Sequence, residues 1–260
     1  MKMNRLNKVM MVMTLVAISL MSAQAQDYKL AVSNPSGKTL HVKEVNNVRV
    51  EAYDGNEIQI ETSNKGGRPE RAEGLKPLSA RGEDNTGIGL NVTSEGSSVT
   101  IFQAARREDG MFKIKVPKGM KVQIEHTGQY EGEKIEVYGV SSELEISGRY
   151  NDVYMEEVTG PALVNTVYGT IVAKFSSLSQ VGPTSLVSVY DDVDVTLPAN
   201  TKANIVVKTP YGEAYSDMDI EFSKNGDMKK ISSTIQGTLN GGGVDLEIKA
   251  SYDNVYLRKK

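Results

Sequence analysis

The chain has 260 residues, 39% of them hydrophobic and 24% charged, with 12 tyrosines, 4 phenylalanines, no tryptophan and no cysteine. This mixture excludes a disordered chain and a bulk membrane protein. Without cysteine there are no thiolate nucleophiles, disulfide staples, Cys-ligated zinc sites, iron–sulfur clusters or lipidated N-terminal cysteine. His41 and His126 are the only histidines, which removes His-rich metal sites and most triad arrangements, and no cofactor motif is present.

Lys2, Arg5 and Lys8 precede an apolar run from Val9 to Met21, and Ser22-Ala23-Gln24-Ala25 supplies a small-x-small cleavage pattern. Residues 1–25 are therefore expected to be a cleaved signal peptide, leaving residues 26–260 as a single exported domain. The run falls short of the roughly 20 apolar residues of a membrane-spanning helix, and no other stretch is apolar enough to span, so no anchor is expected after cleavage. Because the three basic residues of the signal are lost, the 30 basic residues fall to 27 against 33 acidic, a net of −6. Nucleic acid and anionic lipid require concentrated Lys and Arg and are excluded as partners. The expected location is the periplasm, the outer surface or the medium.

Past the signal, apolar and polar residues alternate with period two, the pattern of half-buried strands. Val48-Arg49-Val50-Glu51-Ala52 is the first clear run. Asn64 to Gly89, rich in Gly, Pro and charge, reads as a long surface loop, and Arg106-Arg107 reads as a solvated turn. Strand patterns follow at Phe112–Val116, Leu144–Ile146, Val193–Leu197, Met218–Phe222 and Val244–Ile248, and no window carries a helical apolar stripe. Ile114-Lys115-Val116-Pro117-Lys118-Gly119-Met120-Lys121-Val122 parallels Val195-Thr196-Leu197-Pro198-Ala199-Asn200-Thr201-Lys202-Ala203, and in both a Pro closes a strand. Gly241-Gly242-Gly243 lacks the Lys-Ser/Thr of a phosphate loop and reads as a turn. The fold class is all-β.

Seven tyrosines are followed directly by Gly, Asn or Asp, and five of them share a wider context: Tyr150-Asn151-Asp152-Val153, Tyr168-Gly169-Thr170-Ile171, Tyr190-Asp191-Asp192-Val193, Tyr211-Gly212-Glu213-Ala214 and Tyr252-Asp253-Asn254-Val255. Their spacings of 18, 22, 21 and 41 define a period near 20, with Gln236 of Thr234-Ile235-Gln236-Gly237 as the expected missing rung. Such a period suits a β-solenoid, a right-handed β-helix-like stack of short strands in which the tyrosines form a ladder. Gly, Asn and Asp after each Tyr are expected to turn the corner through the left-handed region. An irregular β-sandwich is the alternative architecture.

The strand-Pro-turn-Lys-strand unit followed by short strands ending in Tyr-Gly or Tyr-Asp resembles the bacterial putative-adhesin family, and more distantly the auto-transporter adhesin head domain. Gly74-Leu75-Lys76-Pro77-Leu78 and Asp84-Asn85-Thr86-Gly87-Ile88-Gly89-Leu90 resemble the N-terminal part of that family, and the likeness covers about residues 40–258. The resemblance implies an elongated β-repeat fold at the cell envelope or outside it. It implies no catalytic residue.

Three groups of residues carry candidate chemistry. Asp152, Asp191, Asp192 and Asp253 would share one edge of a coil stack and could offer oxygens to Ca²⁺; they form no ordered ligand motif, turn geometry accounts for them, and no metal site is assigned. Glu143, Glu145, Glu156 and Glu157 are the carboxylates available for acid–base cleavage of a polysaccharide, but solvated strand faces explain them equally. The ladder Tyr150, Tyr168, Tyr190, Tyr211 and Tyr252 is either a packing device or, facing outward, a binding strip. Tyr154, Tyr215 and Tyr256 each follow a ladder tyrosine by four residues, with a corner between. The reading is a non-enzymatic, adhesin-like interaction module that binds a surface glycan or an envelope protein and can self-associate through a stack end. A carbohydrate-active β-helix and a purely structural envelope protein are the alternatives.

Overall fold

The computed structural model describes residues 27–63, 71, 75, 82–104, 110–128, 133–222 and 234–260. The signal segment, most of the expected loop at 64–89 and Arg106-Arg107 lie outside the described residues. Among the described residues there is no α-helix, and two large sheets account for the fold.

With strands numbered along the chain, the first sheet runs β1 (Asp27–Ala31), β4 (Glu57–Thr62), β7 (Phe112–Pro117), β3 (Val48–Tyr53), β9 (Glu133–Tyr138), β11 (Asn151–Val158), β13 (Ile171–Phe175), β15 (Val193–Leu197), β21 (Val255–Lys259) and β17 (Ala214–Ser216). The second runs β18 (Glu221–Phe222), β19 (Thr234–Leu239), β16 (Ala203–Lys208), β20 (Val244–Ala250), β14 (Thr184–Ser188), β12 (Ala162–Thr166), β10 (Leu144–Gly148), β8 (Lys121–His126), β2 (Thr39–Lys43), β6 (Ser98–Gln103) and β5 (Leu90–Glu95). The all-β reading holds, and the two-sheet arrangement fits the sandwich alternative.

From β6 to β17 the chain alternates between the sheets, even-numbered strands in the second and odd-numbered strands in the first. Through the middle of each sheet, a strand pairs in parallel with the one two positions later, as in β9–β11–β13–β15 and β8–β10–β12–β14. The register keeps apolar residues in rows: Val50, Val137, Met155, Ala173, Val195 and Leu257 line up in the first sheet, and Val42, Ile124, Ile146, Val164, Leu186, Ile248 and Val207 in the second. Both rows enter one continuous core. Each fully buried Val, Leu or Ile contributes roughly 1.5–3 kcal/mol relative to exposure.

Two strand pairs break the sequential order. The pair β2/β3 is inserted between β6/β7 and β8/β9, and the C-terminal pair β20/β21 between β14/β15 and β16/β17. Antiparallel pairings, β1–β4–β7 and β5–β6 at one end and β16–β19–β18 at the other, close off the parallel ladders. The duplicated Pro segments are equivalent crossings from the first sheet to the second, and in each a turn amide donates to the Pro carbonyl: Met120 to Pro117 at 3.3 Å and Thr201 to Pro198 at 3.0 Å. The described end of the expected loop is an ordered turn, in which the Asp84 carboxylate accepts from the amides of Thr86, Gly87 and Gly89 at 3.0, 2.8 and 3.0 Å. Gly241 and Gly242, with φ of 79° and 86°, make the turn between β19 and β20.

Candidate functional site

The five candidate tyrosines come together at the corner where the chain crosses from the second sheet to the first. Each follows, by two residues, a small residue at or next to a strand end: Gly148, Thr166, Ser188, Ala250 or Thr209. Their amides continue the backbone ladder: Tyr168 donates to the carbonyl of Arg149 (2.7 Å), Tyr190 to Val167 (3.0 Å), Tyr252 to Val189 (3.0 Å) and Tyr211 to Ser251 (3.1 Å). The rings stack nearly parallel, with centroid separations of 5.0 Å (Tyr150–Tyr168), 4.6 Å (Tyr168–Tyr190), 4.9 Å (Tyr190–Tyr252) and 4.9 Å (Tyr252–Tyr211). These match the strand spacing of about 4.8 Å, so in-register pairing alone sets the stack.

The order of the ladder differs from the order of the sequence. Tyr252 lies between Tyr190 and Tyr211 because β20/β21 is inserted there, and the step of 41 residues is a detour through β18 and β19. Gln236 is not a rung: it sits in β19, in the second sheet, opposite Val206. The expected reason for the following residues also changes. None of Asn151, Gly169, Asp191, Gly212 or Asp253 has a positive φ. Instead, Gly169 and Gly212 meet a neighbouring layer so closely that an added Cβ would lie 2.0 Å from the carbonyl oxygen of Asn151 or Asp253.

The next position forms a side-chain ladder of its own. Asp152 Oδ1 accepts from the Thr170 amide, Asp192 Oδ1 from the Asn254 amide and Asn254 Oδ1 from the Glu213 amide, each at 3.0 Å. Asp191 is held above the ordinary carboxylate range by burial and then by the carboxylates of Asp152 and Asp253. Asp192 is raised too, by burial first, with the Asn254 amide opposing and the Asp253 carboxylate reinforcing. The four acidic corner residues are thus neighbours, yet the described residues contain no group of three or more acidic or histidine side chains arranged to hold a metal ion.

Solvent sees this ladder mostly edge-on. Tyr168 is 41% exposed, Tyr190 43%, Tyr252 52% and Tyr211 75%. Interior ring faces cover one another, so the strip offers ring rims and hydroxyls; among the described residues Tyr211 has a ring over one face and neither a ring nor a cation over the other. The four-residue offset puts Tyr154, Tyr256 and Tyr215 beyond the corner on the outer face of the first sheet. There Tyr215 stacks on Tyr256 at 5.5 Å, and Tyr138 lies against Tyr154 at 5.8 Å, tilted by 47°.

Cations over these rings were not anticipated from the sequence. Arg149 lies 5.2 Å over Tyr150, Arg49 5.1 Å over Tyr138, Lys174 5.0 Å over Tyr154 and Arg258 5.3 Å over Tyr256. Arg149 immediately precedes Tyr150 and Arg258 follows Tyr256 by two residues on β21, both local in the sequence; the other two contacts arise from strand register. Arg258 also grips Asp194 with two nitrogens, at 2.8 and 2.9 Å.

The candidate acid–base carboxylates are not brought together. Glu143 pairs with Lys121 and Glu145 accepts from Gln123 beside the second sheet. Glu156 accepts from the Tyr154 hydroxyl on the first sheet, and Glu157 sits in the left-handed region at a bulge of β11. His41 is a half-buried strand residue, whereas His126 is buried near Asn46.

No family model matches the chain, and no curated protein matches it. Among solved structures it is similar to a protein of Clostridium sporogenes named a putative cell adhesion protein, at 11% identity and a TM-score of 0.46, covering 91% of this chain and 100% of that one. It is also similar to a protein of Bacteroides fragilis named a putative adhesin, at 8% identity and a TM-score of 0.34, covering 92% and 98%. Among the described residues no helix is long and apolar enough to cross a membrane.

Proposed function

We propose that this chain is a non-enzymatic, adhesin-like interaction module, exported to the cell envelope or surface, that holds a surface glycan or an envelope protein against its tyrosine-lined corner. The observation that carries this reading is the continuous five-tyrosine stack, four of whose rings are exposed and Tyr150 half-buried, on a corner whose backbone is tied layer to layer. Aromatic side chains with a polar tip suit a surface that meets both apolar and wetted groups. The dispersal of the candidate carboxylates, three of them tied to separate partners, favours binding over cleavage. The architecture that goes with this reading is a β-solenoid-like stack of coils, supported by the alternation of consecutive strands between the sheets. Export rests on the basic, apolar and small-x-small pattern of residues 1–25.

The test has two arms. Protease added to intact cells removes a surface protein, whereas cleavage only after the envelope is opened assigns the chain to the periplasm. A glycan array and purified envelope proteins are then offered to the wild type and to Tyr168→Leu and Tyr190→Leu. Saturable binding that weakens about tenfold in the folded variants supports the tyrosine corner. Equal binding by the variants, or no saturable ligand at all, overturns it.

A further inference from the structure

Among the described residues tyrosines group in one five-ring stack and two pairs, Tyr138–Tyr154 tilted and Tyr256–Tyr215 stacked, and the ends of these groups are not alike. The five-ring ladder starts at Tyr150, which carries Arg149 over its face. The pair Tyr138–Tyr154 carries Arg49 at one end and Lys174 at the other. The pair Tyr256–Tyr215 carries Arg258 over Tyr256. Four of six ends therefore hold a Lys or Arg at 5.0–5.3 Å from the ring centroid. Among the described residues, the two ends without such a cation are Tyr211 and Tyr215, and both belong to the last layer of the first sheet, at its edge strand β17. Tyr211 is 75% exposed and Tyr215 50%.

Among the described residues that edge is open in two further respects. β17 pairs with β21 on one side, and its other side is the end of the sheet as described, a row of backbone donors and acceptors available to an added strand. Among the described residues the charge flanking β17 is acidic: Glu213, Asp217, Asp219 and Glu221 lie around it, while on the neighbouring β21 Lys259 is paired with Asp219 at 3.2 Å and Arg258 with Asp194. A strand added to β17 would lie about 4.8 Å away. That step would bring its side chains over Tyr211 and Tyr215 at nearly the separation the chain's own cations keep from their rings.

From this geometry we infer that the β17 edge is the docking site of an extended, Lys- or Arg-bearing peptide segment of a partner, which adds as a strand and sets its cations over the open faces of Tyr211 and Tyr215. The same acidic flanks disfavour a second copy of this chain at that edge, because pairing β17 with its own copy brings like charges together. The inference deepens the reading of the chain as an interaction module by naming the partner chemistry at one end of the tyrosine strip.

The experiment uses the full mature chain and two synthetic eight-residue peptides, one alternating Arg and Thr, the other alternating Glu and Thr. Binding is followed by fluorescence anisotropy at low and high salt. The basic peptide is expected to bind saturably and to weaken with salt, and the acidic peptide not to bind. Tyr211→Leu and Tyr215→Leu each weaken the basic peptide about tenfold, as loss of a desolvated cation–aromatic contact predicts. Tyr211→Phe and Tyr215→Phe keep the ring face and retain affinity within about twofold, which separates loss of the contact from loss of the fold. Equal binding of both peptides, or undiminished binding by both Leu variants, overturns the inference. So does self-association in sedimentation that the Leu variants abolish, since the edge would then belong to a second copy. Tyr190→Leu, which leaves this edge intact, keeps peptide affinity, so failure of the interior strip as a glycan or protein site reads out separately from failure of the edge.

Discussion

The crossing from the second sheet to the first is built in two ways along one edge of the molecule. In the five layers from β10 to β17 it is a repeated unit: a small residue, then two positions on a tyrosine followed by Gly, Asn or Asp, with Asp152, Asp192 and Asn254 at the next position accepting from the amides of neighbouring layers. In the layers of β2 and β8 it is a local construction. There the Glu44 carboxylate clamps the Thr127 amide and hydroxyl at 3.0 and 2.7 Å and the Gly128 amide at 3.1 Å, while Asn46 reaches His126 at 3.3 Å and the Gln103 side chain accepts from the Asn46 amide at 2.9 Å. This second corner holds two non-glycine residues in the left-handed region, Glu44 and Asn47, with φ of 49° and 46°; the tyrosines and the residues following them hold none. Repetition lets one layer satisfy the next without unusual backbone, whereas a corner without repetition uses a specific carboxylate and strained dihedrals.

The contrast is broken most strongly by filling the close approach between layers. Gly169→Ala places a Cβ 2.0 Å from the Asn151 carbonyl oxygen, a backbone atom that cannot step aside without disturbing both layers. The expected cost is about 3 kcal/mol in urea unfolding. In the other corner, Gly128→Ala meets the tip of the Glu44 side chain at 3.2 Å and is expected to cost less than about 1 kcal/mol. Similar costs for the two substitutions would contradict the idea that the ladder corner is set by backbone packing between layers.

Ring removal tests whether the ladder is a sum of neighbouring pairs. Tyr190 touches two rings and Tyr211 one. At about 0.5–1.5 kcal/mol per aromatic pair, Tyr190→Leu is expected to cost about twice what Tyr211→Leu costs in the same unfolding assay. Glu44→Gln keeps an acceptor but removes its charge, and is expected to cost about 1 kcal/mol, since the site is only partly shielded from water. A larger cost for Glu44→Gln than for Tyr190→Leu would reverse the ranking of the two corners.

Much of this was readable in the sequence, for reasons the structure makes physical. Period-two alternation reports which face of a strand meets the core, so the strands and the inward rows of Val, Leu and Ile were accessible from residues alone. The ladder tyrosines were accessible because in-register stacking repeats one context. Their spatial order was not: nothing in Tyr252-Asp253-Asn254 encodes that β20/β21 inserts between β14/β15 and β16/β17, which is a matter of long-range pairing. The role of Gly169 and Gly212 is hidden in the sequence for a related cause. Glycine serves both left-handed turns and close approach, and only the neighbouring layer distinguishes them. The Glu44 clamp left no sequence signal, because its partners lie 83 and 84 residues away.

The smallest effect, and the one that separates the corners by sign, is their response to acid. Glu44 is held below the ordinary glutamate range: burial opposes ionisation, but hydrogen bonds from the Thr127 hydroxyl and amide, the nearby His126 and the Gly128 amide outweigh it. A depressed carboxylate contributes stability that is present above its unfolded value, about 4.3, and lost as pH falls through the folded one. Asp191 and Asp192 are shifted the other way, so their ionised forms subtract stability at neutral pH. That subtraction fades as pH falls through their raised values toward about 3.9, where the unfolded chain takes up its protons. Thermal unfolding from pH 7 down to pH 3 should therefore show two opposed contributions, a gain from the ladder corner at mildly acid pH and a loss from the Glu44 corner below it. Asp192→Asn keeps an oxygen to accept from the Asn254 amide and removes the charge, so it should raise the midpoint at pH 7 and flatten the gain. Glu44→Gln should lower the midpoint at pH 7 and flatten the loss. If Asp192→Asn instead lowers stability at pH 7, its carboxylate serves the corner as Glu44 serves the other, and the two corners share one electrostatic logic after all.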